Sequence, residues 1–503
     1  MNTLSNLQEL AYFVRNFSAS TPALIHFDES YNQEDALYDH LHRFTTFEEA
    51  KAFLGKEDNH KAFCDVKCRL KEKLLNHLLF LDLGKIKDAR GRFKEMEALQ
   101  YYQKAKALYL LSGNRREIVR LLHRALDIAV TYEHINIITM SLEVLLDYGV
   151  FEHSRAKRKY YEKLQDTYLP LLVLEKQAFR VYQQCSFALA YQSKRRREKL
   201  EDLPQHLEAL KGFWVQSGLT KVYYYYYRSQ MRYCELTGNF ERMLLLIKDC
   251  EQNLEEGRLN RAIFPVRYNK YMKLLALSML RRPEEGIKEI PAILAQFKPH
   301  EYNYFAIQVH HLQLRLVVKE YDIVLEEIVQ IEAQSAFKNI PTVQKEEYAF
   351  IKAYAQLLSA QYKDFNLLDF QDSITLYRAD KAGAHIHTWL IEILYWLRRE
   401  DWETLESRIE NFNRYMYNHI KGKQMHRLRA LIKLLNYLIR ADFHPAHARE
   451  KGRYLYNRLQ DLPLVGTAYQ FVELVPFDQL WLEIIQQLKQ TSPHYTSKRE
   501  AVL

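Results

Sequence analysis

The chain has 503 residues, 48% of them apolar, with only 14 Gly, 12 Pro and 5 Cys. Gly and Pro together make up about 5%, against roughly 12% in an average protein, which argues against a sheet-and-turn fold and for an all-α one. Five Cys exclude a disulfide framework. The net charge of +9 is concentrated: residues 155–199 hold 12 Lys or Arg and 4 Asp or Glu, which is +8 and leaves +1 for the rest.

At the N-terminus, Leu4 to Phe17 reads as one helix, broken by Ser18 to Pro22. A short helix follows at Phe47 to Phe53, capped by Thr45 or Thr46. Residues 1–65 are expected to form an irregular helical cap. Glu9 stands early and no basic stretch precedes an apolar run, so no secretory signal is expected. No window approaches roughly 18 uninterrupted apolar residues, as a membrane span requires. The expected setting is cytoplasmic.

From there on, helix-turn-helix joints recur. The clearest is Leu236-Thr237-Gly238-Asn239-Phe240-Glu241. Gly238 permits the left-handed residue that ends a helix, and Thr237 or Asn239 can cap the next. An earlier copy contains Ser112, Gly113 and Asn114. Looser copies stand at Arg282-Pro283, Lys319-Glu320-Tyr321, Gln361-Tyr362-Lys363-Asp364, Glu400-Asp401-Trp402 and Asp442-Phe443-His444. Counted from Asn239, joints fall near 283, 321, 362, 401 and 443 and, backwards, near 194, 151, 114, 84 and 46. A second kind of break lies between them, at Gly257, Lys298-Pro299, Asn339-Ile340-Pro341, Gly383, Gly422 and Asp461-Leu462-Pro463.

Two helices of roughly 15 to 20 residues with two short links account for the spacing. Apolar residues inside them recur at 3 and 4, as in Leu405, Ile409 and Phe412. One such hairpin cannot bury its stripe alone, so neighbours must stack. Pro476 to Leu488 reads as an amphipathic closing helix, followed by a polar tail.

These joints resemble the middle of a tetratricopeptide repeat (TPR). In that family a Gly-Asp/Asn-Tyr/Phe turn precedes packing positions on the second helix. Asn114 with Ile118, Leu122 and Ala125 fits this register, as does Asn239-Phe240 with Met243 and Ile247. Tyr321 with Val324, Ile328 and Ile331, and Trp402 with Leu405, Ile409 and Phe412, fit more loosely. The steps of 38 to 44 residues exceed the family's period. The resemblance implies an all-α, right-handed superhelical solenoid of about ten antiparallel helix hairpins. It would span residues 66–462, with capping helices and a frayed tail over 463–503. It implies a concave face lined by the first helix of each hairpin.

Tyr223, Tyr224, Tyr225, Tyr226 and Tyr227 are consecutive. On a helix, five positions sweep about 400°, so at least one phenol must face away from the core. With Arg228 and Arg232 one and two turns on, they are candidates to line a groove for a peptide with an acidic group. The bland alternative is a mid-array helix packed on both sides. Arg155, Lys157, Arg158 and Lys159 form one basic cluster, and Lys194, Arg195, Arg196 and Arg197 another. Both suit phosphates or an acidic partner, or only a solvated rim.

His60, Cys64 and Cys68 share a helix face, and His385 with His387 and His444 with His447 form pairs. None has the ligand count of a metal site. No Gly-rich phosphate loop, GxSxG elbow or kinase signature is present. The expectation is a non-enzymatic scaffold or adaptor without cofactor, binding a protein or peptide. The alternatives are a nucleic-acid-associated protein using residues 155–199, or a regulator that responds to a peptide.

Overall fold

The computed structural model describes Leu4, Leu7, Gln8, Ala11 and Tyr12, and residues 32–78, 91–111, 114–148, 155–190, 202–299, 301–374, 385–419, 426–462 and 473–491. These form 21 α-helices and, among the described residues, no strand. They divide into two units. One holds residues up to 176 with 219–221 and 262–264, and the other holds 177–218, 222–261 and everything from 265 on. The expected helix from Leu4 to Phe17 and the breaks at 84, Gly113, 151, 194, Gly383, Gly422 and Pro463 lie outside the described residues, wholly or in part.

In the first unit, α1 (Gln33–His40), α2 (Phe47–Phe53) and α3 (His60–His77) enclose a core that includes Leu4, Leu37, Phe63, Val66 and Leu70. Local capping sets where they start. Asn32 and Asp35 form a reciprocal capping box on α1, and Thr46 accepts the Glu49 N–H on α2. Next come α4 (Arg92–Leu110), α5 (Arg115–Thr131) and α6 (Ile135–Tyr148); α5 packs on α4, and α6 on α5. Asn114 caps α5, and Ile118, Leu122 and Ala125 are fully buried.

The helix α7 (Arg155–Ala190) is continuous over 36 residues and carries Pro170. Joints near 151 and 194 predict a hairpin in this stretch, and a single helix stands there instead. The physical reason is visible in the sequence. No Gly occurs from 155 to 190, so no residue there takes a left-handed end without strain. Buried or half-buried residues also recur every seven, at Tyr161, Tyr168, Glu175, Tyr182 and Leu189, with Leu164, Leu171, Ala178 and Cys185 between. That repeat keeps one seam inward along the whole length.

The second unit begins with α8 (Leu203–Ser217), α9 (Thr220–Thr237, inside this unit from Val222), α10 (Phe240–Glu255), α11 (Val266–Met279) and α12 (Pro283–Leu294). It continues with α13 (Tyr302–Val317), α14 (Tyr321–Glu332), α15 (Thr342–Leu358) and α16 (Leu367–Ser373). It closes with α17 (His385–Arg398), α18 (Trp402–His419), α19 (His426–Arg440), α20 (Pro445–Asp461) and α21 (Phe477–Thr491). From α10 to α15, and again from α17 to α21, each helix packs on its successor. First helices also touch one another, α11 with α13, α13 with α15 and α15 with α17.

Most joints stand where the spacing predicts, but their chemistry differs. Gly238 takes φ +81°, and Asn239 caps α10. At the later joints the left-handed residue is not glycine: Arg281 (φ +56°), Lys319 (+63°), Glu400 (+56°), Asp442 (+51°) and Phe443 (+58°). Each costs about 1–2 kcal/mol of backbone strain. At 361–364 no tight turn forms. A 3-10 helix, Ala360–Asp364, leads to the short α16.

The closing helix α21 departs furthest from an ordinary cap. It is amphipathic, as its spacing predicts, but its exposed stripe is narrow, made of Leu482, Gln486, Lys489 and Gln490. Trp481 is 1% exposed, and one hydrophobic cluster runs from Phe305 to Leu488. Its polar residues reach back to earlier joints. Gln479 donates to the Leu316 carbonyl at 2.9 Å, and Glu483 accepts from Lys319 at 2.8 Å and from the Tyr321 hydroxyl at 3.2 Å. The apolar cluster of this half of the chain is therefore shared between stacked neighbours and the closing helix.

Candidate functional site

Four of the five consecutive tyrosines are core residues. Tyr223 packs against Trp214 of α8 at 4.7 Å and stacks on Tyr227 at 5.6 Å. Its hydroxyl donates to the Cys250 sulfur on α10. Tyr225 stacks on Tyr182 of α7, rings 4.7 Å apart and 17° from parallel. Tyr227 is fully buried and donates to Asn269 of α11, itself 1% exposed. Burial raises the phenol pKa values of Tyr223, Tyr226 and Tyr227. Helices α7, α8, α10 and α11 thus surround this part of α9, and Tyr224 alone is left half-exposed.

Around Tyr224 the structure gathers polar side chains that are not core. Arg228, one turn on, is exposed, and its Nη1 donates to the Tyr224 hydroxyl at 3.0 Å. Its guanidinium carbon lies 5.9 Å from the Tyr224 ring centre. Burial would lower the Arg228 pKa, but the neighbouring phenols of Tyr224, Tyr182 and Tyr268 raise it. Tyr268 of α11 is half-buried, and burial pushes its phenol up. Arg232, a further turn along, pairs with Glu235. Tyr182, Tyr224, Arg228 and Tyr268 therefore form one patch on neighbouring helices, with Arg232 and Glu235 at its edge.

The row continues along α11 and α13. The Tyr271 ring lies 5.8 Å from that of His310. His310 Nδ1 donates to Gln313 Oε1 at 3.1 Å, and Ser278 donates to the same oxygen at 3.2 Å. Burial lowers His310 to about 4, so the ring is neutral at pH 7. A cavity of about 20 Å³, room for roughly one water, opens beyond it. Ser278, Gln313, Arg281 and Glu473 are among its lining residues.

That cavity borders a charge cluster that sequence reasoning missed. Arg427 of α19 is 2% exposed. Its Nε and Nη2 donate to Glu473 at 2.7 and 3.1 Å, and Nη2 also to Asp478 at 2.9 Å. Its Nη1 donates to the Leu459 and Leu462 carbonyls at 2.6 and 2.9 Å. All five N–H groups are used. Arg281 joins the same carboxylates, at 2.6 Å to Glu473 and 2.8 Å to Asp478. One signal was present in the sequence: Arg427 falls on the apolar stripe of Leu431, Leu434 and Leu438, where a charge must find a buried partner.

Arg155, Lys157, Arg158 and Lys159 are all exposed in the first turns of α7, and Arg158 donates to Glu162 at 3.0 Å. The second basic cluster, Lys194, Arg195, Arg196 and Arg197, lies outside the described residues. His60 Nε2 sits 3.5 Å from the Cys64 sulfur, and Cys68 is exposed. His387 is buried against the Tyr354 hydroxyl at 2.9 Å, and His444 caps α20. Burial raises the thiols of Cys185 to about 11 and Cys250 to about 12, which makes them poor nucleophiles. Among the described residues, no group of three or more His, Cys, Asp or Glu could hold a metal ion. No described helix is long and apolar enough to cross a membrane.

No protein-family model, no curated protein and no solved structure matches the chain.

Proposed function

We propose that this chain is a non-enzymatic, cytoplasmic helical-repeat protein that binds a protein or peptide, with TPR-like joints and a superhelical array. The ligand lies along the first helices α9, α11 and α13. The observation that carries this reading is the patch around Arg228. An exposed cation, half-buried phenols and further hydrogen-bonding groups stand on adjacent first helices, beside residues otherwise committed to the core. Aromatic rings supply contact area at low entropic cost, and a guanidinium sets register. The closing helix supports the same placement. Its Gln479 and Glu483 engage the joint between α13 and α14, so the surface left for a partner lies nearer α9.

Replacing Tyr224 and Arg228 by Ala tests this. Both side chains are at least partly exposed, so the fold should survive. Tyr225 is unsuitable, because its removal breaks the stack on Tyr182. Partners captured from native lysate by the parent chain and identified by mass spectrometry should be lost with the double variant. Unchanged capture by a folded double variant counts against the groove.

A second reading uses the basic start of α7. Its first turn carries cations and no acidic residue, the reverse of what the helix dipole favours. An anionic partner such as a nucleic-acid backbone would relieve that repulsion. Nuclease treatment of the lysate separates the two readings.

A further inference from the structure

Resting on the peptide-binding reading above, we infer that the Arg228 patch is a recognition site for a single carboxylate, an Asp or Glu side chain of a bound peptide. Three observations on this patch converge. Arg228 has no carboxylate within ion-pair distance among the described residues, and its one hydrogen bond is from Nη1 to Tyr224. The Nε–Nη2 edge of the guanidinium is therefore open. That edge carries two parallel N–H groups spaced to meet both oxygens of one carboxylate.

Secondly, the neighbouring phenols of Tyr182 and Tyr268 have no hydrogen-bond partner among the described residues, although both lie near enough to act electrostatically on Arg228. Tyr182 is held in place by its stack on Tyr225. Two placed hydroxyls beside an open guanidinium edge supply further donors for an anion. Tyr224 orients the guanidinium from the other side.

Thirdly, the charge count selects a monoanion. Arg232 is already neutralised by Glu235. The patch thus carries Arg228 and Arg232 against Glu235, a net charge of +1. A phosphate, with roughly −1.5 to −2 at pH 7, would be left undercompensated and would meet the Glu235 carboxylate. One carboxylate balances the patch.

Selection of a random displayed-peptide library on the full-length chain tests this. Enriched peptides should share Asp or Glu at one fixed position. In the best of them, changing that residue to its amide should weaken binding to the parent chain by roughly 10- to 100-fold. The same change should have no effect with Arg228→Gln, and Tyr182→Phe and Tyr268→Phe should each retain part of the preference. Thermal unfolding confirms that each variant is folded. Enriched peptides without a shared acidic position, or an amide effect that survives Arg228→Gln, overturn the carboxylate assignment and leave peptide binding standing. Tighter binding of a phosphoserine at that position overturns the monoanion argument. No enrichment over a bare-surface control overturns the peptide-binding reading, and the carboxylate with it.

Discussion

Arg281 and Glu473 are separated by 192 positions and meet at 2.6 Å, with Arg281 reaching out from a left-handed backbone of φ +56°. Lys319 repeats the device at φ +63° and pairs with Glu483 at 2.8 Å. Glycine would ease both joints, but it would leave a closing-helix carboxylate short of a partner. In the first unit Glu133, at φ +53°, takes the N–H and hydroxyl of Thr220 at 2.7 and 2.9 Å. In all three, a strained joint residue makes a contact distant in sequence.

Among the described residues Glu400 has no such contact, and it is exposed at φ +56°. Glu400→Gly should therefore stabilise the chain by about 0.5–1 kcal/mol, the relief of left-handed strain less the entropy of an added glycine. Lys319→Gly should give no gain, because it strips Glu483. Urea midpoints of the two variants, compared at equal transition slope, check this. A gain for Lys319→Gly as large as that for Glu400→Gly would refute the assigned role of the side chain.

Arg427 should be the most sensitive charge in the second unit. Arg427→Leu leaves Glu473 and Asp478 half-compensated in a buried place, and its expected cost is about 3–5 kcal/mol. Arg281→Ala, at a site 23% exposed, should cost less, about 1–2 kcal/mol. Chemical denaturation measures both, and equal losses would contradict the ranking.

Two histidines make stability fall in mild acid. Burial lowers both His310 and His311 to about 4, and for His311 the Arg315 charge adds to it. Their folded pKa values lie below the unfolded value near 6.5. The unfolded chain thus binds protons first, and stability complete above pH 6.5 drains away as the pH falls towards 4. Each group adds a slope of at most about 1.4 kcal/mol per pH unit. His310→Gln should flatten part of this fall between pH 6 and 4; an unaltered pH profile would mean that His310 is not buried as a neutral ring.

A separate loss should follow at lower pH from Asp478. Burial would raise its carboxyl, but the charge and hydrogen bond of Arg281, aided by Arg427, hold it below the usual range. Its folded pKa is thus below the unfolded one, so its contribution is present above about pH 4 and vanishes as pH drops through the folded value. Protection factors of the α21 amides, corrected for the intrinsic pH dependence of exchange and followed from pH 5 to pH 3, should fall in the parent chain. They should change less in Asp478→Asn, whose α21 is already weakened at pH 5.

If the basic start of α7 holds a polyanion, changing Arg155, Lys157 and Lys159 to Glu should abolish that binding. Affinity of the parent chain should also fall steeply between about 50 and 200 mM salt. Titration with a labelled single-stranded oligonucleotide measures both effects. Salt-independent binding, or binding unchanged in the variant, would exclude this surface.

Helix content and most joints were legible in the sequence because they rest on short-range physics. Asn114 and Asn239 cap the helices that follow them, and Met243, Ile247, Leu405 and Ile409 are buried in the register their spacing predicts. Capping and a 3.6-residue stripe need only neighbours within a turn or two. The same locality made the basic residues of α7 and the tyrosine run recognisable as unusual. What spacing could not decide was which side of each helix would be covered. Four of the tyrosines went into the core because four other helices surround that stretch of α9, and Arg228 was left outside. Nor could it show that Arg281 and Arg427 would share Glu473 and Asp478. Those pairings join residues up to 197 positions apart. Their register is set by how the intervening helices stack, which only the folded chain determines.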